Sequence, residues 1–212
     1  MAKFLDDFEQ GSAEWLAVRA GHLTGSRMAD ILGSQKPRLT YARELVAERL
    51  SGDAKRSMGS KSMQWGTDSE GLARQEYEIR TGNFVRKVGF ALHDMIKFLG
   101  VSSDGMTEDS EGNGGIEVKS PFNSGIHVKT WLEGMPDDHV AQVQSNIWVL
   151  GLDWLDFLSY DPSFPAPMNL FIKRIYPNKI YISDMEAKSR SFLAEVNVMA
   201  ASITEQIKLI KV

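Results

Sequence analysis

Between Phe84 and Ser120 the apolar residues of this 212-residue chain change their period, and that change limits what the chain can fold into. Phe84–Leu92 and Lys97–Ser102 are short runs rich in branched and aromatic residues, each bounded by turn-forming residues. Gly115–Ser120 is a third such run, stopped by Pro121, and Thr107–Gly114 between them reads as a turn. On both sides the apolar residues return at helical spacing. Ser12–Arg19 predicts a helix capped by Ser12, and 24–33 predicts a second, capped near Thr24 and closed by Gly33. Thr40–Leu50 predicts a third after a break at Pro37, and Asp68–Arg80 a longer one ending at Thr81-Gly82. Beyond the strands, Ile126–Leu132 and Asp137–Leu150 predict helices, Trp154–Tyr160 and Leu170–Tyr176 strands, and Ser183 to about Ile210 a long C-terminal helix. The fold class is therefore α/β: a central mixed β-sheet flanked by helices, with an α-β-β-β-α-β core, an N-terminal helical region and a long C-terminal helix.

Composition removes several chemistries. Cysteine is absent, which excludes disulfides, zinc-thiolate sites and cysteine nucleophiles and suits a reducing cytoplasm. The first ten residues hold no apolar run of the signal-peptide kind, and no segment approaches the roughly 20 apolar residues of a membrane span, so a soluble protein without membrane partners is expected. No P-loop or dinucleotide fingerprint occurs, and none of the four histidines has a partner at metal-ligand spacing. The net charge of −4 is unevenly spread. Residues 35–61 carry seven Lys/Arg against three acids, whereas 130–172 carry six acids and no Lys or Arg. A positive and a negative face suit a protein that grips a polyanion on one side; ordinary solvated lysines are the plainer reading.

The chemistry lies at Ser103-Asp104-Gly105 and Ile116-Glu117-Val118-Lys119. Residues two apart on a strand share a face, so Glu117 and Lys119 emerge side by side, and a paired strand can bring Asp104 to them. Two carboxylates and an ammonium at one point make a Mg²⁺ site with a basic group beside it, the equipment of phosphodiester hydrolysis. Each residue also has a plain role: Asp104 as a turn residue before glycine, Glu117 and Lys119 as a surface ion pair at i, i+2.

Further motifs stand in register with this pair. Gly11-Ser-Ala-Glu-Trp15-Leu-Ala-Val-Arg19 followed by Leu23-Thr-Gly-Ser26 resembles the N-terminal signature of the lambda-exonuclease/YqaJ-type phage recombination nucleases, a branch of the PD-(D/E)XK superfamily. Trp65-Gly66-X-X-X-Glu70, Ser102-Ser-Asp104-Gly105, Glu117-Val-Lys119-Ser-Pro121-Phe122 and Ala141-Gln142-Val143-Gln144 complete the resemblance from about Phe8 to Tyr160. The chain departs in having Gly25 where alanine is common.

The resemblance implies a role for each matching residue. Asp104, Glu117 and the Val118 carbonyl would ligate the metal, and Lys119 would orient or deprotonate the attacking water. Glu70 would bind a second Mg²⁺ or hold a metal-bound water; its plain role is an acid near a helix N-terminus. Two Mg²⁺ ions per site are expected, with Mn²⁺ as a substitute. Arg19, Ser26, Ser102 and Gln142 would form a pocket for the 5′-terminal phosphate. A guanidinium grips phosphate bidentately, and hydroxyl and amide donors fill the remaining oxygens. Period alone does not separate Gln142 from Gln144; the resemblance selects Gln142. Met63 would be an apolar wedge at the duplex end.

By the same resemblance the chain is one nuclease domain, 1–212, with an N-terminal helical region (1–62), a catalytic core (63–160) and a C-terminal strand and helix (161–212). Its activity would be that of a Mg²⁺-dependent 5′→3′ exonuclease on linear double-stranded DNA, leaving 3′ overhangs for recombination. It would act as a ring-shaped homotrimer beside a single-strand-annealing protein, in the cytoplasm of a bacterial host of phage or prophage. The alternatives are a structure-specific or restriction-type endonuclease of the same superfamily and a non-catalytic DNA-end-binding protein.

Overall fold

The computed structural model describes residues 2–5, 8, 11–53 and 61–210. Strand β1 (Lys3–Leu5) precedes helix α1 (Ala13–Arg19), where the Ser12 hydroxyl accepts the Trp15 N–H at 3.1 Å. Strand β2 (Leu23–Thr24) runs through a 3-10 turn, Gly25–Arg27, into α2 (Met28–Leu32). Helices α3 (Gln35–Ser51) and α4 (Lys61–Thr81) follow. The middle of the chain holds β3 (Phe90–Leu92), β4 (Leu99–Val101), β5 (Gly105–Asp109) and β6 (Gly112–Lys119). Then come α5 (Ser124–Glu133), α6 (Val140–Leu150), β7 (Trp154–Tyr160), β8 (Leu170–Ile175) and the long α7 (Lys179–Ile210).

The mixed sheet has the order β5-β6-β7-β8. Strands β5 and β6 pair antiparallel, β6 and β7 parallel, and β7 and β8 antiparallel. Alternation along the strands splits the core in two. Ile116 and Leu158 face Ala73 and Tyr77 of α4, while Leu155 and Phe157 face Val143 and Ile147 of α6. Helix α4 thus covers one face and α6 the other. A third cluster, with Met28, Leu45, Phe192 and Val196, joins α2 and α3 to α7 and reaches the second sheet.

That second sheet, of order β1-β3-β4-β2, takes the two strands expected first in the core. The third core strand is instead β5, in a stretch expected to be a turn. Thr107–Gly114 is a β-hairpin: Thr107 pairs with Gly114 and Asp109 with Gly112. Its polar, glycine-rich sequence hides the pleat, in which Gly105 and Thr107 point inward. Pro37 does not break α3. It sits in the first helical turn, where a missing N–H is tolerated, so the helix starts at Gln35 rather than Thr40.

The expected charge asymmetry is partly neutralised. Arg38 pairs with Glu195 of α7, and Arg49 donates to Asn197 Oδ1 at 2.7 Å and to the Gly21 carbonyl at 2.8 Å. Among the acids, Asp156 is 2% exposed; it accepts from Tyr77 Oη at 2.8 Å and from Arg174 Nε and Nη2 at 3.0 Å each. Asp161 is buried as well. Lys55 and Arg56 lie outside the described residues.

Candidate active site

The C-terminal end of β6 places Glu117 and Lys119 on the face covered by α6. Lys119 Nζ donates to Glu117 Oε1 at 2.7 Å and to Gln142 Oε1 at 3.0 Å. Gln142 Nε2 donates to the same Glu117 oxygen at 2.6 Å, and Asn146 Nδ2 to Glu117 Oε2 at 2.9 Å. A carboxylate that is 1% exposed is thereby held by three donors. Asp104 lies in the connection between β4 and β5, directly before Gly105. Its Oδ2 accepts the Val118 N–H at 2.6 Å, which fixes it at the end of β6.

Glu70 approaches from α4. Its Oε1 accepts from Arg74 Nη2 at 2.6 Å, and its charge is felt by both Asp104 and Glu117. Burial, then the neighbouring Glu117 and Glu70, push the Asp104 carboxyl well above its ordinary range. Burial also raises Glu117, although Lys119 and Asn146 oppose it. For Lys119, burial pulls the ammonium down but Glu117 and Asp104 outweigh it, so its pKa is raised and it stays charged.

The second group meets the first in one cavity of about 210 Å³. Arg19, Gly25, Ser26 and Ser102 line it together with Asp104, Glu117, Val118, Lys119 and Gln142. The Arg19 guanidinium lies 3.9 Å over the Trp15 ring and forms no ion pair with Glu14. Burial, partly opposed by Tyr41 and Glu48, lowers its pKa to about 10. Ser102 Oγ is buried without a partner among the described residues, whereas Ser26 is exposed, 3.4 Å from Thr24 Oγ1. Gln144 is turned elsewhere: it bonds the Tyr176 carbonyl at 3.0 Å and the Asn178 N–H at 2.8 Å. The Met63 side chain, the candidate wedge, falls outside the described residues.

Asn146 is a positioning residue that no motif marked. Its only sequence signal is the i, i+4 spacing from Gln142, one turn along the same helix face. Gly25 serves it too: a Cβ there would stand 2.7 Å from Ser145 Oγ and 3.2 Å from Asn146 Oδ1.

Among the described residues, no three His, Asp or Glu side chains gather closely enough to ligate one ion by themselves. The donor set is two carboxylates at one point, Glu117 raising the pKa of Asp104, with Glu70 near enough to raise both. That set suits Mg²⁺, which keeps several waters and takes one or two carboxylates plus substrate phosphate.

The fold is that of the lambda-exonuclease/YqaJ type of phage nuclease. Residues 14–153 match the YqaJ-like viral recombinase domain, and the chain belongs to that family. It is 28% identical over 167 residues to the uncharacterised protein R354 of Acanthamoeba polyphaga mimivirus, covering 74% of this chain and 30% of that one. It is 28% identical over 148 residues to the uncharacterised YqaJ of Bacillus subtilis strain 168, covering 69% of this chain and 44% of that one. The chain thus spans less than half the length of these two relatives. It superposes on the alkaline exonuclease LHK-Exo of Laribacter hongkongensis with a TM-score of 0.87 and 34% identity, covering 94% of this chain and all of that one. LHK-Exo has also been solved in complex with dAMP.

Proposed function

We propose that this chain is a divalent-cation-dependent deoxyribonuclease of the alkaline exonuclease type. It digests one strand of linear double-stranded DNA from the 5′ end and leaves 3′ overhangs for recombination by single-strand annealing. One observation carries the reading: Arg19, Ser102 and Gln142 share a single cavity with Asp104, Glu117 and Lys119.

Asp104, Glu117 and the Val118 carbonyl would hold Mg²⁺, with Glu70 serving a second ion or a bound water; Mn²⁺ meets the same oxygen donors. The cation supplies a water of lowered pKa and positive charge at the phosphate. The chain's own groups do the placing. Arg19 grips the 5′-terminal phosphate, and the unpartnered Ser102 hydroxyl donates to one of its oxygens. Lys119, an ammonium tied to Glu117 and Gln142, has one N–H left to orient the attacking water. Gln142 and Asn146 keep Glu117 in one rotamer, so the carboxylate does not reorganise during the reaction. Each cut exposes a new 5′ phosphate that re-enters the pocket.

A homotrimeric ring threaded by DNA and a single-strand-annealing partner in a bacterial cytoplasm belong to the same proposal. No helix among the described residues is long and apolar enough to cross a membrane. The test is linear duplex with and without a 5′ phosphate, in Mg²⁺ and in EDTA, with molecular mass in solution for the ring. Preferential digestion of phosphorylated ends in Mg²⁺ is expected. Nicking of closed circles, or no digestion in Mg²⁺, ends the exonuclease reading.

A further inference from the structure

The connection that follows the strand of Lys119 carries an aromatic ring that the reaction leaves unused. Phe122 follows Lys119 by three residues, so at about 3.6 Å per residue its Cα lies within about 11 Å of the Lys119 Cα. It is 63% exposed. Its ring meets Trp65 edge to face, with centroids 6.1 Å apart and planes at 87°. Trp65 is half-buried on α4, five residues before Glu70. The pair therefore joins the connection just after the strand of Glu117 and Lys119 to the helix bearing Glu70.

Ordinary packing does not account for Phe122. It precedes Asn123, the residue that caps α5 by accepting the Gly125 N–H at 2.9 Å. An apolar residue at that position commonly closes over the fourth helical residue. Here that residue is His127, wholly buried, 2.8 Å from Ser159 Oγ and 2.8 Å from the Met168 carbonyl, with Phe164 against its ring at 5.3 Å. Phe122 is left with Trp65 as its ring contact and most of its surface in solvent. Pro121 before it and the Asn123 cap after it restrict the backbone, and the Trp65 contact braces the ring.

We propose that Phe122, braced by Trp65, is a stacking platform for a base of the strand whose end enters the pocket. The proposal rests on the exonuclease reading. With about 3.4 Å between successive nucleotides of a stacked strand, ~11 Å from the Lys119 backbone spans about three nucleotides, so the first three of the strand are the ones to test. Stacking on an aromatic face is tolerant of sequence, as an enzyme that digests any strand requires.

The experiment compares wild type, Phe122→Ala and Phe122→Trp on linear duplex whose first three 5′ nucleotides are intact or abasic. Phe122→Ala is expected to lower kcat/KM about tenfold on intact ends, equivalent to about 1.4 kcal/mol, and to leave abasic ends unchanged, while Phe122→Trp restores the rate. A second readout places 2-aminopurine at each of those positions and measures fluorescence on binding in Ca²⁺. Wild type quenches it at one position and Phe122→Ala does not. Equal losses on intact and abasic ends, or a quench that survives Phe122→Ala or is missing in wild type, overturn the platform. A wild type that fails to digest linear duplex in Mg²⁺ defeats the exonuclease reading instead, and the quench then decides the platform alone.

Discussion

Arg19→Met removes a cation that the fold buries without a paired acid among the described residues. Burial brings its pKa down to about 10. At about 1.4 kcal/mol per pKa unit that displacement opposes the charged form by about 3 kcal/mol, reduced to about 2 by solvent reaching the half-buried group. A bound phosphate returns this energy, through hydrogen bonds worth about 1.5–3 kcal/mol when the groups are charged. Methionine keeps an unbranched stem against Trp15 but offers no donor. The expected result is a fall of about 30-fold in kcat/KM on 5′-phosphorylated ends, the equivalent of about 2 kcal/mol. On 5′-hydroxyl ends the change is expected to stay under about 3-fold, so the preference for phosphate collapses. The melting temperature should hold or rise, because an unpaired buried charge is gone. Initial rates on two otherwise identical linear duplexes decide the matter. If both ends lose rate equally, or the preference survives, Arg19 is not the phosphate-binding group.

Three further substitutions test the rest of the site. Asp104→Asn should cut digestion by about 10³-fold or more while duplex binding persists. Because the folded-state pKa of Asp104 is raised, its contribution to stability is full at low pH and is lost as pH rises through that value. In EDTA the variant should therefore be more stable than wild type at pH 8, with the gap closing toward pH 4; thermal melts across that range that show the opposite trend would refute the crowding of acids. Asn146→Leu takes the 2.9 Å bond from Glu117 Oε2 and should destabilise by about 1–3 kcal/mol, read by urea denaturation, with a loss of rate that added Mg²⁺ does not fully restore. Gly25→Ala puts a Cβ 2.7 Å from Ser145 Oγ and 3.1 Å from Val101 Cγ1, and should destabilise by about 1–3 kcal/mol in the same measurement. An unchanged midpoint would mean that Ser145 turns aside.

Local rules made the central acids readable. The two-residue period of a strand puts Glu117 and Lys119 on one face, and Asp104 before Gly105 reads as an acid at a chain reversal. The flanking helices were readable for the same reason, since their apolar residues keep the helical interval. What stayed hidden depends on contacts distant in sequence. The hairpin of β5 is made of Thr, Glu, Asp and Gly, and only pairing with β6 gives those residues a pleat to occupy. Asn146 sits on a helix buried nearly all round, so its amide carries no more signal than that of Gln144 until Glu117 is placed beside it. The basic run on α3 looked like a polyanion-binding face because its partners, Glu195 and Asn197, lie about 150 residues away.

Glu70 stands on the helix covering one face of the mixed sheet, whereas Gln142 and Asn146 stand on the helix covering the other. On the proposed function the site is therefore an interlock. Neither layer owns a complete set of components, and a half-assembled chain would lack the means to attack DNA. Activity should vanish on heating as soon as either helix lifts off, ahead of the melting of the strands between them.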